Sequence, residues 1–182
     1  MIDHVEFSRD LVLDYISQNI SLVGTNLSNL DLSNIDFSGI DLRSVNFSFS
    51  NLQNSIFVES DLSRAYMRGA VLNYCDFRKS NLIRSNLTVT EMKNVNLSQA
   101  NLQGANLSGA ASNSGQSTAR VIGANMQGAI ARCTNFEKAI MERVNLNNTD
   151  LRGSNFVEAN LTRVSLQGAK FDPDAFDSSI NV

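Results

Sequence analysis

Residues 98–129 read SQANLQGANLSGAASNSGQSTARVIGANMQGA. The stretch opens on a five-residue beat centred on Leu102 and Leu107, loses it, and regains it at Val121 and Met126. Read backwards from Leu107 in steps of five, the beat reaches Leu22 through eighteen consecutive positions that are all Leu, Phe or Met. Read forwards from Val121, it continues through Ala131, Phe136, Met141, Leu146, Leu151, Phe156, Leu161, Leu166, Phe171 and Phe176. A period of five matches neither the 3.6 of a helix nor the 2 of a strand. A helix would smear these residues around its circumference, and a strand would send them to alternating faces. A chain that turns a corner every five residues points every centre inward, and stacked coils then share one continuous core.

A second inward position lies two residues before each centre. It is bulky early (Ile20, Leu30, Ile35, Ile40, Val45) and mostly small later (Ala65, Ala70, Cys75, Ser80, Ala100, Ala105). Between the two stands Asn or Asp at most repeats, as at Asn26, Asp31, Asp36, Asp41 and Asn46. Outward Asn and Asp can hydrogen-bond around corners, which accounts for their abundance without catalysis. Phe37, Phe57 and Phe77 recur at every fourth repeat and form one expected stack, and Phe136, Phe156 and Phe176 form another. Leu22, Leu42, Leu62, Leu82 and Leu102 form an all-leucine column. Four repeats per coil follow from that interval. At about 4.8 Å per coil, about seven coils give a rod of about 35 Å.

The motif Ala/Ser-Asn/Asp-Leu/Phe-x-x, seen in ANLQG, ANLSG, ANMQG, SNFVE and ANLTR, resembles the pentapeptide-repeat family, and thirty such units span about residues 20–178. The resemblance implies an all-β solenoid, a right-handed quadrilateral β-helix. It also brings in the quinolone-resistance members of that family, which carry loops that contact DNA gyrase and present a DNA-mimicking surface. This sequence has one interruption rather than two and lacks their Cys-rich repeats, and no C-terminal dimerisation helix is expected.

Two expected domains follow. Residues 1–19 form an N-terminal helical cap, with a helix over 8–19, Ser8 as its N-cap and Leu13, Ile16 and Ile20 as its inner face. Residues 20–182 form the coil, with pairing expected to stop near Pro173. The beat breaks at about 109–118, where the expected centres are the serines Ser112 and Ser117. Two readings of the break stay open. One ragged turn loses a residue and keeps its phase, placing Phe136 above the Phe37 column. Alternatively, about nine residues bulge out between adjacent faces, as the small polar composition of the segment suits.

The function classes narrow by composition. The two cysteines, Cys75 and Cys133, match neither a metal spacing nor a disulfide framework, and a cytoplasmic setting is expected. The start MIDHVEFSRD has no basic-then-apolar signal pattern, and no run approaches a membrane span. His4 is the single histidine, and no nucleophile elbow or phosphate loop is present, so no enzyme, cofactor or metal is expected. The net charge of −3 is uneven: residues 1–60 carry eight acids and two bases, and residues 61–100 carry three acids and six bases. Six bases with few stacking aromatics make a weak nucleic-acid signal, so direct nucleic-acid contact is not expected.

The expected activity is that of a non-catalytic protein–protein interaction scaffold, as a monomer or an end-to-end homodimer. Its candidate contacts are the loop residues Ser112, Asn113, Ser114 and Gln116, and an aromatic–arginine band of Phe49, Arg64, Tyr66, Arg68, Tyr74 and Arg84. Aromatic rings fringed by arginine are the composition of an interface hot spot. The alternative is a DNA-mimicking modulator of a type II topoisomerase (gyrase), drawn from the family resemblance and from the acidic slot shared by Asp31, Asp36, Asp41 and Asp61.

Overall fold

The computed structural model describes residues 6–108 and 119–179. Its one helix among these, α1 (Arg9–Ser17), starts at Ser8, whose side chain accepts from the Leu11 N–H, with Asp10 in the first turn. The buried face is only partly the expected one. Val12 is fully buried and Ile16, Tyr15 and Phe7 pack against the core, whereas Leu13 is 41% and Ile20 44% exposed. The helix lies across the first coil, and that contact selects the Val12 side of an almost evenly mixed surface.

From Asn26 onward the chain forms isolated parallel bridges, one in every pentad, each to the matching residue four pentads later: Asn26 to Asn46, Asp31 to Asn51, Asp36 to Ile56, Asp41 to Asp61. One bridge per pentad and four pentads per return make a four-sided coil. We number the faces in chain order from the one centred on Leu22. The second is centred on Leu27, the third on Leu32 and the fourth on Phe37.

The pentad is explained by where its five backbone N–H groups go, since each must be satisfied. Take the pentad around Leu27. The Leu27 and Asn29 N–H groups donate forward, to the carbonyls of Asn46 and Ser48 on the next coil. The residue before each centre donates backward, as the Asn46 N–H does to Thr25. The residue three after each centre closes the turn, as Ile40 N–H does onto Phe37. One N–H remains, that of the residue after the centre. It is taken by the Asn or Asp before the centre: Ser28 N–H donates to Asn26 Oδ1, Ser33 to Asp31, Ser38 to Asp36. The Asn/Asp slot is therefore an Asx cap on each corner. Many of these side chains also link coils, as when Asn46 Nδ2 donates to Asn26 Oδ1 at 3.0 Å. The turn closes because the residue two after each centre adopts a left-handed conformation, Gly or Asn by preference but also Phe49 (φ 60°) and Val89 (φ 61°).

Inside, the centres form four columns. Phe37, Phe57 and Phe77 stack in near-parallel pairs at 5.0 and 4.6 Å. Buried Ser and Thr at the second inward slot donate to turn carbonyls, as Ser50 does to Phe47 and Ser55 to Leu32 one coil earlier. No buried side-chain N or O is left without a partner among the described residues. Burial fails only at the ends. Leu30 and Ile40, though at the inward slot, are half-buried where the N-terminal rim offers less cover. Phe171, an expected centre, is 41% exposed because bridging ends at Lys170 and no coil covers it.

Across the break the pairing interval lengthens by nine residues. Glu91 bridges Arg120, Asn96 bridges Asn125 and Asn106 bridges Asn135, each nine positions beyond the four-pentad interval kept elsewhere. The skipped positions lie between the second and third faces. Phe136 therefore sits above Leu107 in the Phe47 column, not above Phe37, which corrects the ragged-turn reading. Phe136 and Phe156 stack at 5.0 Å, while Phe176 closes the column tilted by 57°.

Candidate functional site

The candidate loop residues Ser112, Asn113, Ser114 and Gln116 lie outside the described residues. The aromatic–arginine band divides into two groups. Tyr66 and Arg68 flank the buried centre Met67 on the second face, and Phe49 occupies the corner that follows this face one coil earlier. Phe49 is 58% and Tyr66 53% exposed. The Arg68 guanidinium lies 6.0 Å from the centre of the Phe49 ring, within cation–π range. The ring leans toward the next coil and lies on Gly69: a β-carbon built on Gly69 would stand 2.6 Å from it. Only glycine admits the ring there. Tyr74 is not part of this group. It stands two corners beyond Arg64, past the third face, so the expected single band does not close around it.

Arg64 and Arg84 share the corner between the first and second faces, one coil apart, both left-handed (φ 60° and 56°). Neither makes an ion pair among the described residues. Other basic side chains are paired: Arg43 with Asp41 at 2.6 Å on the same face, and, at the fourth face and its corner, Arg78 with Asp76 at 2.7 Å and Lys79 with Glu59 at 3.0 Å. Beside the arginine corner, the first face carries an open groove of about 880 Å³ whose lining includes Val23, Arg43, Asp61, Ser63, Asn81, Ile83 and Gln103 as well as Arg64 and Arg84. The groove was not foreseen. Its signal was present in the residues one after the first-face centres, had they been read at every fourth pentad.

The shared acidic slot is spread over three faces. Along the third face it runs Asp31, Asn51, Val71, Glu91, Arg120; along the first it runs Asp41, Asp61, Asn81, Asn101, Ile130, Asp150. No such column is acidic for more than two successive coils. Asp31, Asp36, Asp41, Asp61 and Asp150 each serve their own corner. Hydrogen bonds from Ser33 hold the Asp31 carboxyl below its usual range, those from Ser38 do so for Asp36, and Arg43 does so for Asp41. At Asp150, hydrogen bonding from the Arg152 side chain outweighs the opposing effect of desolvation, and the carboxyl is lowered to about 2. No group of three or more His, Cys, Asp or Glu able to hold a metal exists among the described residues. No described helix is long and apolar enough to cross a membrane.

Comparison with known proteins follows the same lines. The family model for pentapeptide repeats matches in eight copies, over residues 20–58, 60–99, 90–111, 119–148 and 139–172. No curated protein matches. Among solved structures, full-length QnrB1, a plasmid-mediated fluoroquinolone resistance protein, is 18% identical, with 84% of this chain and 86% of that one covered at a TM-score of 0.42. HetL, a pentapeptide repeat protein involved in heterocyst differentiation regulation from the cyanobacterium Nostoc sp. strain PCC 7120, is 22% identical, with 91% and 95% covered at a TM-score of 0.26. Rfr23 from the cyanobacterium Cyanothece 51142 is 20% identical, with 96% and 100% covered at a TM-score of 0.29. Superpositions this loose carry no argument about partner or activity, and no enzymatic family is indicated. The repeat matches extend over most of the chain, on a four-sided coil built from five-residue units, and the chain belongs to the pentapeptide-repeat family.

Proposed function

We propose that this chain is a non-catalytic interaction scaffold, a right-handed coil capped by α1 that presents its second face to another protein. One observation carries the reading. At Tyr66 the chain abandons the Asx cap that supports most corners, and at Phe49 it places a bulky ring where glycine or Asn fits best. Both departures cost local stability, and both put an aromatic ring beside Arg68. Local rules broken together at one place mark function more often than accident. The loop at 109–118, with Ser112, Asn113, Ser114 and Gln116, is a second proposed contact. The interrupted acidic columns favour this reading over a DNA-mimicking topoisomerase modulator, whose surface needs ordered negative charge.

The test uses substitutions that restore the repeat. Phe49→Asn supplies a residue suited to the left-handed corner, and Tyr66→Asn restores the cap on the Arg68 N–H. The double variant is expected to melt at or above the temperature of the parent while losing a partner that the parent captures from lysate. Retention of every captured protein by both this variant and one shortened at 109–118 refutes the reading.

A further inference from the structure

We propose that the first-face groove beside Arg64 and Arg84 receives an extended acidic segment of the partner protein; the proposal rests on the scaffold reading above. The side chains two after each centre lean toward the following coil: the Phe49 ring lies on Gly69, and the Arg84 stem passes 3.5 Å from the β-carbon position of Gly104. Gly104 leaves the corner bare beyond Arg84, so its guanidinium has no neighbouring stem to confine it. Arg64 lies one coil earlier on the same corner, and consecutive coils are about 4.8 Å apart. The pair therefore forms a short row of positive charge along the rod axis.

Neither arginine of that row makes an ion pair among the described residues. Two other acids of the same coils are paired: Asp76 with Arg78 and Glu59 with Lys79. Asp61 also lines the groove, where its Oδ1 accepts from the Ser63 N–H and from Asn81 Nδ2. The groove floor adds what an extended chain needs. Gln103 supplies an amide for backbone groups, and Ile83 and Val23 supply apolar contact. A guanidinium pairs with carboxylates through a planar fork, so an acidic peptide lying along the rod meets both arginines at once. The groove is open along its length and suits an extended segment rather than a folded knob.

The probe is a dye-labelled peptide of alternating Glu and Gly, followed by fluorescence anisotropy against the full chain at about 50 mM and about 150 mM salt. The variant R64E/R84E reverses the row. The control R143E/R163E makes the same charge change at another left-handed arginine pair, likewise four pentads apart. Circular dichroism confirms that both fold. The expected result is binding weakened about tenfold or more by R64E/R84E, little changed by R143E/R163E, and weakened by salt. Equal loss in both variants overturns the proposal, because total charge then governs binding. No binding to the parent overturns it as well. Tighter, Arg64- and Arg84-dependent binding of single-stranded DNA of equal charge also overturns it, by making the occupant a nucleic acid. Partner capture lost in F49N/Y66N but kept in R64E/R84E separates the two readings: the scaffold then stands and the groove assignment fails.

Discussion

Phe57→Ala tests the core most directly. Phe57 is fully buried, stacked on Phe37 at 5.0 Å and on Phe77 at 4.6 Å, with Phe47 edge-on at 6.2 Å. Truncating a buried Phe to Ala costs about 3–5 kcal/mol, and each aromatic pair carries about 0.5–1.5 kcal/mol beyond area. The lower figures apply where surroundings collapse into the void. Here they cannot, because the ladder bonds Phe57 N–H to Asp76 at 2.7 Å and Ile56 N–H to Ile35 at 3.0 Å fix the coil spacing. The expected loss is therefore about 4–5 kcal/mol. Urea unfolding followed by far-ultraviolet circular dichroism measures it, with Asn101→Ala as the control. Asn101→Ala removes one exposed bond, donated by the Gln103 N–H to the Asn101 Oδ1 and worth about 1 kcal/mol. Solenoid contacts are between neighbouring coils, so amide exchange should accelerate most between about residues 37 and 77 and least around Phe156. A loss below about 1 kcal/mol for Phe57→Ala, or exchange that rises uniformly, refutes the stacked column.

Three further outcomes follow from the surface and the buried thiol. Gly69→Ala should destabilise by about 1–3 kcal/mol, since its β-carbon meets the Phe49 ring at 2.6 Å and its φ is +68°, and Phe49→Asn should recover the part due to the ring in a double-mutant cycle. Burial pushes the Cys75 thiol up to about 12, while Cys133 is exposed; iodoacetamide at neutral pH should label Cys133 alone in the native state and both after unfolding. Because Asp150 is lowered to about 2 in the folded chain, its ion pair with Arg152 stabilises fully above the unfolded carboxylate value of about 3.9 and fades as pH falls toward about 2. Asp150→Asn should thus be less stable than the parent at pH 7 and converge on it in acid, as thermal melts across that range will show.

The cap and the groove show how legible each level was. Ser8 as N-cap and the helix beginning at Arg9 were readable, because capping is a bond between residues three apart. The side of α1 that would be buried was not. Val12 won over Leu13 through contact with a coil that begins after the helix ends. The aromatic–arginine residues were singled out by breaking the repeat, and Tyr66, Arg68 and Phe49 do fall together along one face. Tyr74 was grouped with them, yet it stands one corner beyond that of Phe49 and two beyond that of Arg64, past the third face.

By itself, the sequence determined the coil: a five-residue beat of inward centres, the Asn/Asp slot before them, and the four-pentad interval that stacks phenylalanine on phenylalanine. Those features are local and repeated, so each pentad specifies its own turn and its own inward side chain. Tertiary structure alone decided the register across the break, where two arithmetically similar readings placed Phe136 in different columns. It also decided which outward side chains become neighbours. Register depends on hydrogen bonds between successive coils, and the groove depends on side chains leaning over the next coil. Neither is encoded within a single repeat.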